Sequence, residues 1–183
     1  MGTRVFGRFV SVLGMMLLAA AVWMGVSGVW RERYDRALLG EAIVAGKAPS
    51  SEIPDVLAIL RVERLGWSVT VRRTAHSDDL ARGAGWISGT AAPGQAGNTG
   101  IAGHRDTFFR PLARVHINDV IALIAPNSET RYRVTETLVV DPAQMSVLDA
   151  TSTPTLTLVT CYPFRFSGPA PKRFIVKAHA IAR

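Results

Sequence analysis

Thr155-Leu-Thr-Leu-Val-Thr-Cys161 alternates Leu156, Leu158 and Thr160 with Thr155, Thr157 and Val159, a period of two built from apolar and β-branched residues. That pattern reads as a β-strand. Directly after it, Tyr162-Pro-Phe-Arg-Phe-Ser-Gly-Pro-Ala-Pro171 turns polar and irregular, and Pro163, Gly168, Pro169 and Pro171 forbid the strand to continue. Cys161, the one cysteine of the chain, is therefore expected at a strand-to-loop junction. A thiol delivered by a rigid strand to the mouth of a loop is how a fold presents a nucleophile. A lone cysteine is also commonly a small buried hydrophobe. Position alone leaves both readings open.

The same strand texture spreads outward from this run. Val56-Leu-Ala-Ile-Leu-Arg-Val62, Trp67-Ser-Val-Thr-Val71, Gly100-Ile-Ala-Gly103, Val120-Ile-Ala-Leu-Ile124, the stretch 130–140 and Phe174-Ile-Val-Lys-Ala178 join it to give seven short strands. Ser77-Asp-Asp-Leu-Ala-Arg82 has the cap and acidic first turn of a brief helix, and another short helix is expected at 144–148. Many short strands without repeated helices between them predict an all-β domain, an antiparallel barrel or sandwich.

Upstream, the 22 residues 9–30 carry no charge and are bracketed by Arg8 and Arg31. As a helix they would reach about 33 Å, enough to cross a bilayer core. Trp23 and Trp30 lie toward the far end, where amphipathic rings suit an interface. Ala19-Ala-Ala21 resembles a signal-peptide cleavage site, but the apolar run continues well past it. The expectation is an uncleaved anchor over 1–30, a juxtamembrane helix and linker over 31–52, and one domain over 53–183. Arg4 and Arg8 precede the apolar run while Arg31, Arg33 and Arg36 follow it, so basic residues do not orient it.

The net charge is +7, and arginine supplies 18 of the 21 basic residues. They are scattered, with no basic helix stripe or aromatic RNA-binding signature, which argues against a nucleic-acid partner. A solvated basic surface near anionic lipid or wall polymer is the plainer account. A single cysteine excludes an intrachain disulfide. Four histidines without Cys-x-x-Cys or His-x-x-x-His pairing supply no zinc ligand set, so no metal is expected.

A free thiol is mostly protonated at neutral pH, so a cysteine nucleophile needs a base or a cation beside it. His76 lies in a polar turn with Ser77, Asp78 and Asp79; His116 is in a polar connection; His179 is placed to face outward on the last strand. Each reads as solvated or structural. His104 ends Asn98-Thr-Gly-Ile-Ala-Gly-His104, where Gly97, Gly100 and Gly103 permit close backbone approach. It sits at its strand's end much as Cys161 does, and two such residues can meet across neighbouring strands. Arg173 starts the strand after the Cys161 loop, and antiparallel pairing would return it beside the thiol as a donor to an oxyanion. Lys172, adjacent and opposite in facing, is its natural control.

Thr157-Leu-Val-Thr-Cys161, Gly100-Ile-Ala-Gly-His104 and Arg173 together resemble the signature of the sortase family, in that family's order of histidine, cysteine, arginine. Ala102-Gly-His-Arg-Asp-Thr-Phe-Phe-Arg-Pro-Leu112 and Cys161-Tyr-Pro-Phe164 look most like class D and Gram-negative sortases. The resemblance covers roughly 54–182. It implies a closed eight-stranded β-barrel and a cysteine transpeptidase that cleaves a Leu-Pro-x-Thr-type sorting signal after Thr. Cys161 would be the nucleophile, His104 the acid and base, Arg173 the oxyanion donor, and Thr160 a substrate contact or simply a strand threonine. The implied partners are a sorting-signal-bearing surface protein, an amine acceptor (a wall precursor or another protein) and membrane lipid. The domain would then lie outside the membrane. No cofactor is implied, and with Glu136, Asp141 and Asp149 sparse around the cysteine strand no calcium requirement is expected. Papain-like enzymes place cysteine before histidine, the reverse of this order, and L,D-transpeptidases carry a histidine–glycine pair where this chain has Val159-Thr160. Two alternatives stay open: a cysteine peptidase that mainly hydrolyses its substrate, and a non-catalytic, membrane-tethered peptide-binding barrel.

Overall fold

The Thr155–Tyr162 strand is largely buried on both faces because it is covered on both. In the computed structural model, which describes residues 55–126 and 128–181 together with Met15 and Met16, its even positions point into a barrel core and its odd positions meet a second, outer layer. The expected anchor and linker otherwise lie outside the described residues. Among the described residues no helix is long and apolar enough to cross a membrane.

Eight strands close the barrel: β1 (Val56–Val62), β2 (Trp67–Arg72), β3 (Ala84–Trp86), β4 (Asn98–Ala102), β5 (Val120–Ala125), β6 (Ser128–Val140), β7 (Thr155–Tyr162) and β8 (Lys172–Ala180). Around the barrel they run β1-β2-β3-β4-β7-β8-β6-β5, and β5 pairs back to β1. That closure answers the choice between barrel and sandwich, but the sheet is not wholly antiparallel as expected: β2–β3 and β4–β7 are parallel, because the chain crosses over between them rather than returning by a hairpin. The seven anticipated strands are present. The eighth, β3, has only three residues, Ala84-Gly-Trp86, too few to show a period of two; it forms because β2 and β4 lie on either side of it. The brief helix α1 is Ser77–Leu80, and the turn expected at 144–148 is a 3-10 helix, Met145–Leu148.

Leu60, Val69, Ile101, Leu123, Val134, Leu156, Leu158 and Val176 form the middle of the core. Leu156 and Leu158 are wholly buried, and truncating either to alanine would cost about 2–5 kcal/mol. The outer layer joins Val140, Val147 and Ile175 with Leu138, Leu148 and Val159, so the 3-10 helix lies on the outside of the β4/β7/β8/β6 wall. Gly100 makes this approach possible: a Cβ there would stand 2.9 Å from Leu148 Cδ2. Asn98, 2% exposed, fastens the same connection by donating from Nδ2 to Val147 O (3.2 Å) and Asp149 O (3.0 Å) while accepting from Thr157 Oγ1 at 2.7 Å.

Candidate active site

Three strand ends meet at one pole of the barrel. β7 runs one residue past Cys161, because β8 extends to Lys172 and pairs Cys161 with Arg173 and Tyr162 with Lys172. Opposite residues in an antiparallel pair have Cα atoms about 4.5–5.5 Å apart, so the Cys161 and Arg173 side chains rise from the same spot on the sheet. Cys161 is partly exposed and its thiol is free. Arg173, also partly exposed, donates from Nη1 to the carbonyls of Ala170 (3.2 Å) and Lys172 (3.0 Å), which steadies its guanidinium against the loop. Lys172 goes elsewhere: its Nζ meets Asp141 Oδ1 at 2.7 Å on the exposed side.

His104 arrives from the other neighbour of β7. The parallel register pairs Ala102 with Val159, and two further bonds carry it past the end of β4. Gly103 N–H donates to Val159 O at 3.1 Å, and the Thr160 hydroxyl donates to Gly103 O at 2.7 Å. One more step on each chain brings His104 level with Cys161. His104 is exposed, so its ring can meet a ligand. Thr160 is 2% exposed and its hydroxyl is committed to Gly103, tying the histidine segment to the cysteine strand.

Why the chain turns as it does after His104 is a packing matter. A Cβ on Gly103 would lie 2.6 Å from Phe109 Cγ, so only glycine lets that ring close over the backbone. Phe109 is fully buried, meets Trp67 edge-on at 5.8 Å, and its N–H returns to His104 O at 3.0 Å. Trp67 Nε1 donates to Phe108 O at 3.0 Å, pinning the same turn to β2.

The other histidines stand apart. His76 precedes α1 without a capping bond from its side chain, and His116 is exposed, giving its backbone N–H to Asp119 Oδ2 at 2.8 Å. His179 is exposed and lies 3.2 Å from Thr155 Oγ1, at the opposite end of β8 from Arg173.

Residue-type reasoning passed over three features of this pole. Tyr162, Phe164 and Phe174 form an aromatic cluster at its rim, with centroids 5.2–6.4 Å apart. A cavity of about 370 Å³ opens between Thr107, Arg110 and Arg114 on one side and Phe164 and Arg165 on the other. Arg105, beside His104, is 6% exposed. Arginine is normally a surface residue, so nothing in its spelling marks it as buried.

A Sortase domain family model matches residues 60–181. Sortase D of Bacillus subtilis is 31% identical over 119 residues, 64% of this chain and 60% of that protein. Sortase A of Listeria monocytogenes is 31% identical over 110 residues, 58% of this chain and 49% of that protein. The chain thus spans about half to three-fifths of the length of the curated relatives it matches. Among solved structures, a Clostridium perfringens Sortase D5 transpeptidase superposes with a TM-score of 0.64 at 29% identity, over 70% of this chain and 80% of that one. Sortase A of Corynebacterium diphtheriae reaches 0.65 at 24% identity, over 70% of this chain and 61% of that one, a likeness of fold.

Proposed function

This chain belongs to the sortase family, and on that premise we propose that it is a cysteine transpeptidase whose reaction runs through Cys161, His104 and Arg173. The observation that carries the proposal is the convergence of three strand ends: Cys161 opposite Arg173 in the β7–β8 ladder, and His104 brought level with Cys161 by the Gly103 bonds to Val159 and Thr160.

In this reading the sorting signal, of the Leu-Pro-x-Thr type, lies in the cleft outside β4, β7 and β8. The Cys161 thiol gives its proton to His104 as its sulfur attacks the Thr carbonyl carbon, and the negative charge that develops on the carbonyl oxygen is met by Arg173 Nε and Nη2. Preorganised donors of this kind act on charge present only in the transition state. The C–N bond then breaks as His104 gives a proton to the departing amine, leaving a thioester on Cys161. An acceptor amine enters, gives its proton to His104, forms the new C–N bond and expels the cysteine sulfur. Thr160 serves by holding Gly103, and so His104, in register. The segment 9–30 anchors the protein in the membrane with the barrel on the outer side, near surface-protein substrates and a wall or protein amine. Water competes with the amine for the same thioester, so hydrolysis is the second reading, favoured by the exposure of His104.

Intact-mass analysis of the full chain with a library of sorting-signal peptides, with and without an amine, tests the proposal. The expected result is a thioacyl adduct on the wild type that is absent in Cys161→Ala and discharged by amine. If no peptide acylates the wild type, the transpeptidase assignment fails.

A further inference from the structure

Arg105 is a buried cation with little counter-charge. Its side chain is 7% exposed, and its acidic neighbour Asp106, itself 67% exposed, meets Nε only at 3.4 Å. Burying a guanidinium is costly unless its donors are used. Here Nη2 is used on the connection between β7 and β8, while Nη1 is buried without a hydrogen-bond partner. Nη2 bridges Phe166 O (2.9 Å) and Gly168 O (3.2 Å), 61 and 63 residues away, and the guanidinium lies 5.8 Å from the centre of the Phe166 ring. The connection has few other holds, since residues 165–169 are all exposed. The strand ends that flank it carry Cys161 and Arg173, each one residue inside, while Arg105 is covalently next to His104.

We propose that Arg105 is a positioning residue: it fastens the apex of the β7–β8 connection beside His104 and thereby sets the cleft wall against which the peptide binds. This rests on the catalytic reading above. Asn98 does the equivalent for the opposite connection, so both walls are tied to the histidine strand from its two ends. Because a single nitrogen serves both carbonyls, a lysine ammonium with its three donors can replace it in kind. Methionine fills the stem's space and offers no donor.

The test compares Arg105→Met and Arg105→Lys with the wild-type full chain in two measurements. The first is limited trypsin cleavage after Arg165, an exposed site in the connection, followed by mass spectrometry. The second is the KM for the sorting peptide beside the rate of Cys161 alkylation by iodoacetamide, which needs no peptide cleft. Arg105→Met is expected to be cut about tenfold faster and to raise KM about tenfold, with alkylation within twofold of wild type and Arg105→Lys restored most of the way. Cleavage at the wild-type rate in Arg105→Met would overturn the tether, and faster cleavage with unchanged KM would overturn its role in the cleft. So would parallel losses in KM, alkylation and melting temperature, which mark general damage. Failure of the wild type to acylate would fall on the transpeptidase reading, while the cleavage measurement would still judge the tether.

Discussion

Removing the Thr160 hydroxyl tests whether the histidine and the cysteine are coupled through the strand backbone. Thr160→Val keeps the side chain's shape and branching and deletes the 2.7 Å bond to Gly103 O. Both residues are buried, so the carbonyl loses its partner without gaining water. Stranding a buried acceptor costs about 1–3 kcal/mol. At about 4 °C per kcal/mol for a domain of this size, the melting temperature should fall by roughly 4–12 °C. Catalysis should fall further than stability suggests. Gly103 holds His104 level with Cys161, and a displacement on the order of 1 Å in a reacting group can cost about a hundredfold in rate. The assays are thermal unfolding by circular dichroism, peptide transfer, and alkylation of Cys161 by iodoacetamide. The expected pattern is a lowered melting temperature, transfer down about a hundredfold, alkylation within twofold of wild type, and recovery of both losses in Thr160→Ser. A Thr160→Val protein that melts and transfers like the wild type would refute the coupling. Loss of transfer with unchanged melting would place the hydroxyl against substrate instead.

Arg173→Ala should lower transfer at least a hundredfold, the scale of losing an oxyanion donor, while Lys172→Ala, which breaks only an exposed pair with Asp141, should stay within twofold; equal effects would remove Arg173 from the chemistry. A third prediction concerns acid. The Arg64 guanidinium, bonded through Nη2 to Asp119 Oδ2 at 2.6 Å, holds that carboxyl below its ordinary pKa, helped by the His116 N–H. The folded state therefore binds its proton later than the unfolded state does, and the stability the pair supplies is present at neutral pH and lost as pH falls below about 4. Asp119→Asn should melt a few degrees lower at pH 7 and show a smaller drop than wild type between pH 5 and pH 3; parallel melting curves would refute it.

Strand by strand, the fold was legible wherever a run was long enough to show its period. β1, β2, β5, β6, β7 and β8 were, and β4 was despite Gly100, whose missing side chain turned out to be space for Leu148. β3 was not, because a three-residue strand exists only through its neighbours. Cys161, His104 and Arg173 stood out as a set only through their resemblance to the sortase signature, since position alone left a lone cysteine open between nucleophile and small buried hydrophobe. Asn98 and Arg105 did not, since a polar residue that staples a connection looks the same in sequence as one that faces water. Thr160 shows the same limit from the other side: its position was visible, and its bond to Gly103 was not.

The sequence by itself determined the period of each long strand, the breaks that end them, and the residue types delivered to those breaks, because these follow from local sterics and from alternation between core and outer face. Which ends lie side by side was decided by the closed barrel. Cys161 and Arg173 are 12 positions apart and meet through one antiparallel ladder; Cys161 and His104 are 57 apart and are aligned through one parallel ladder. Such pairings depend on burying a shared core, and no local stretch of chain encodes them.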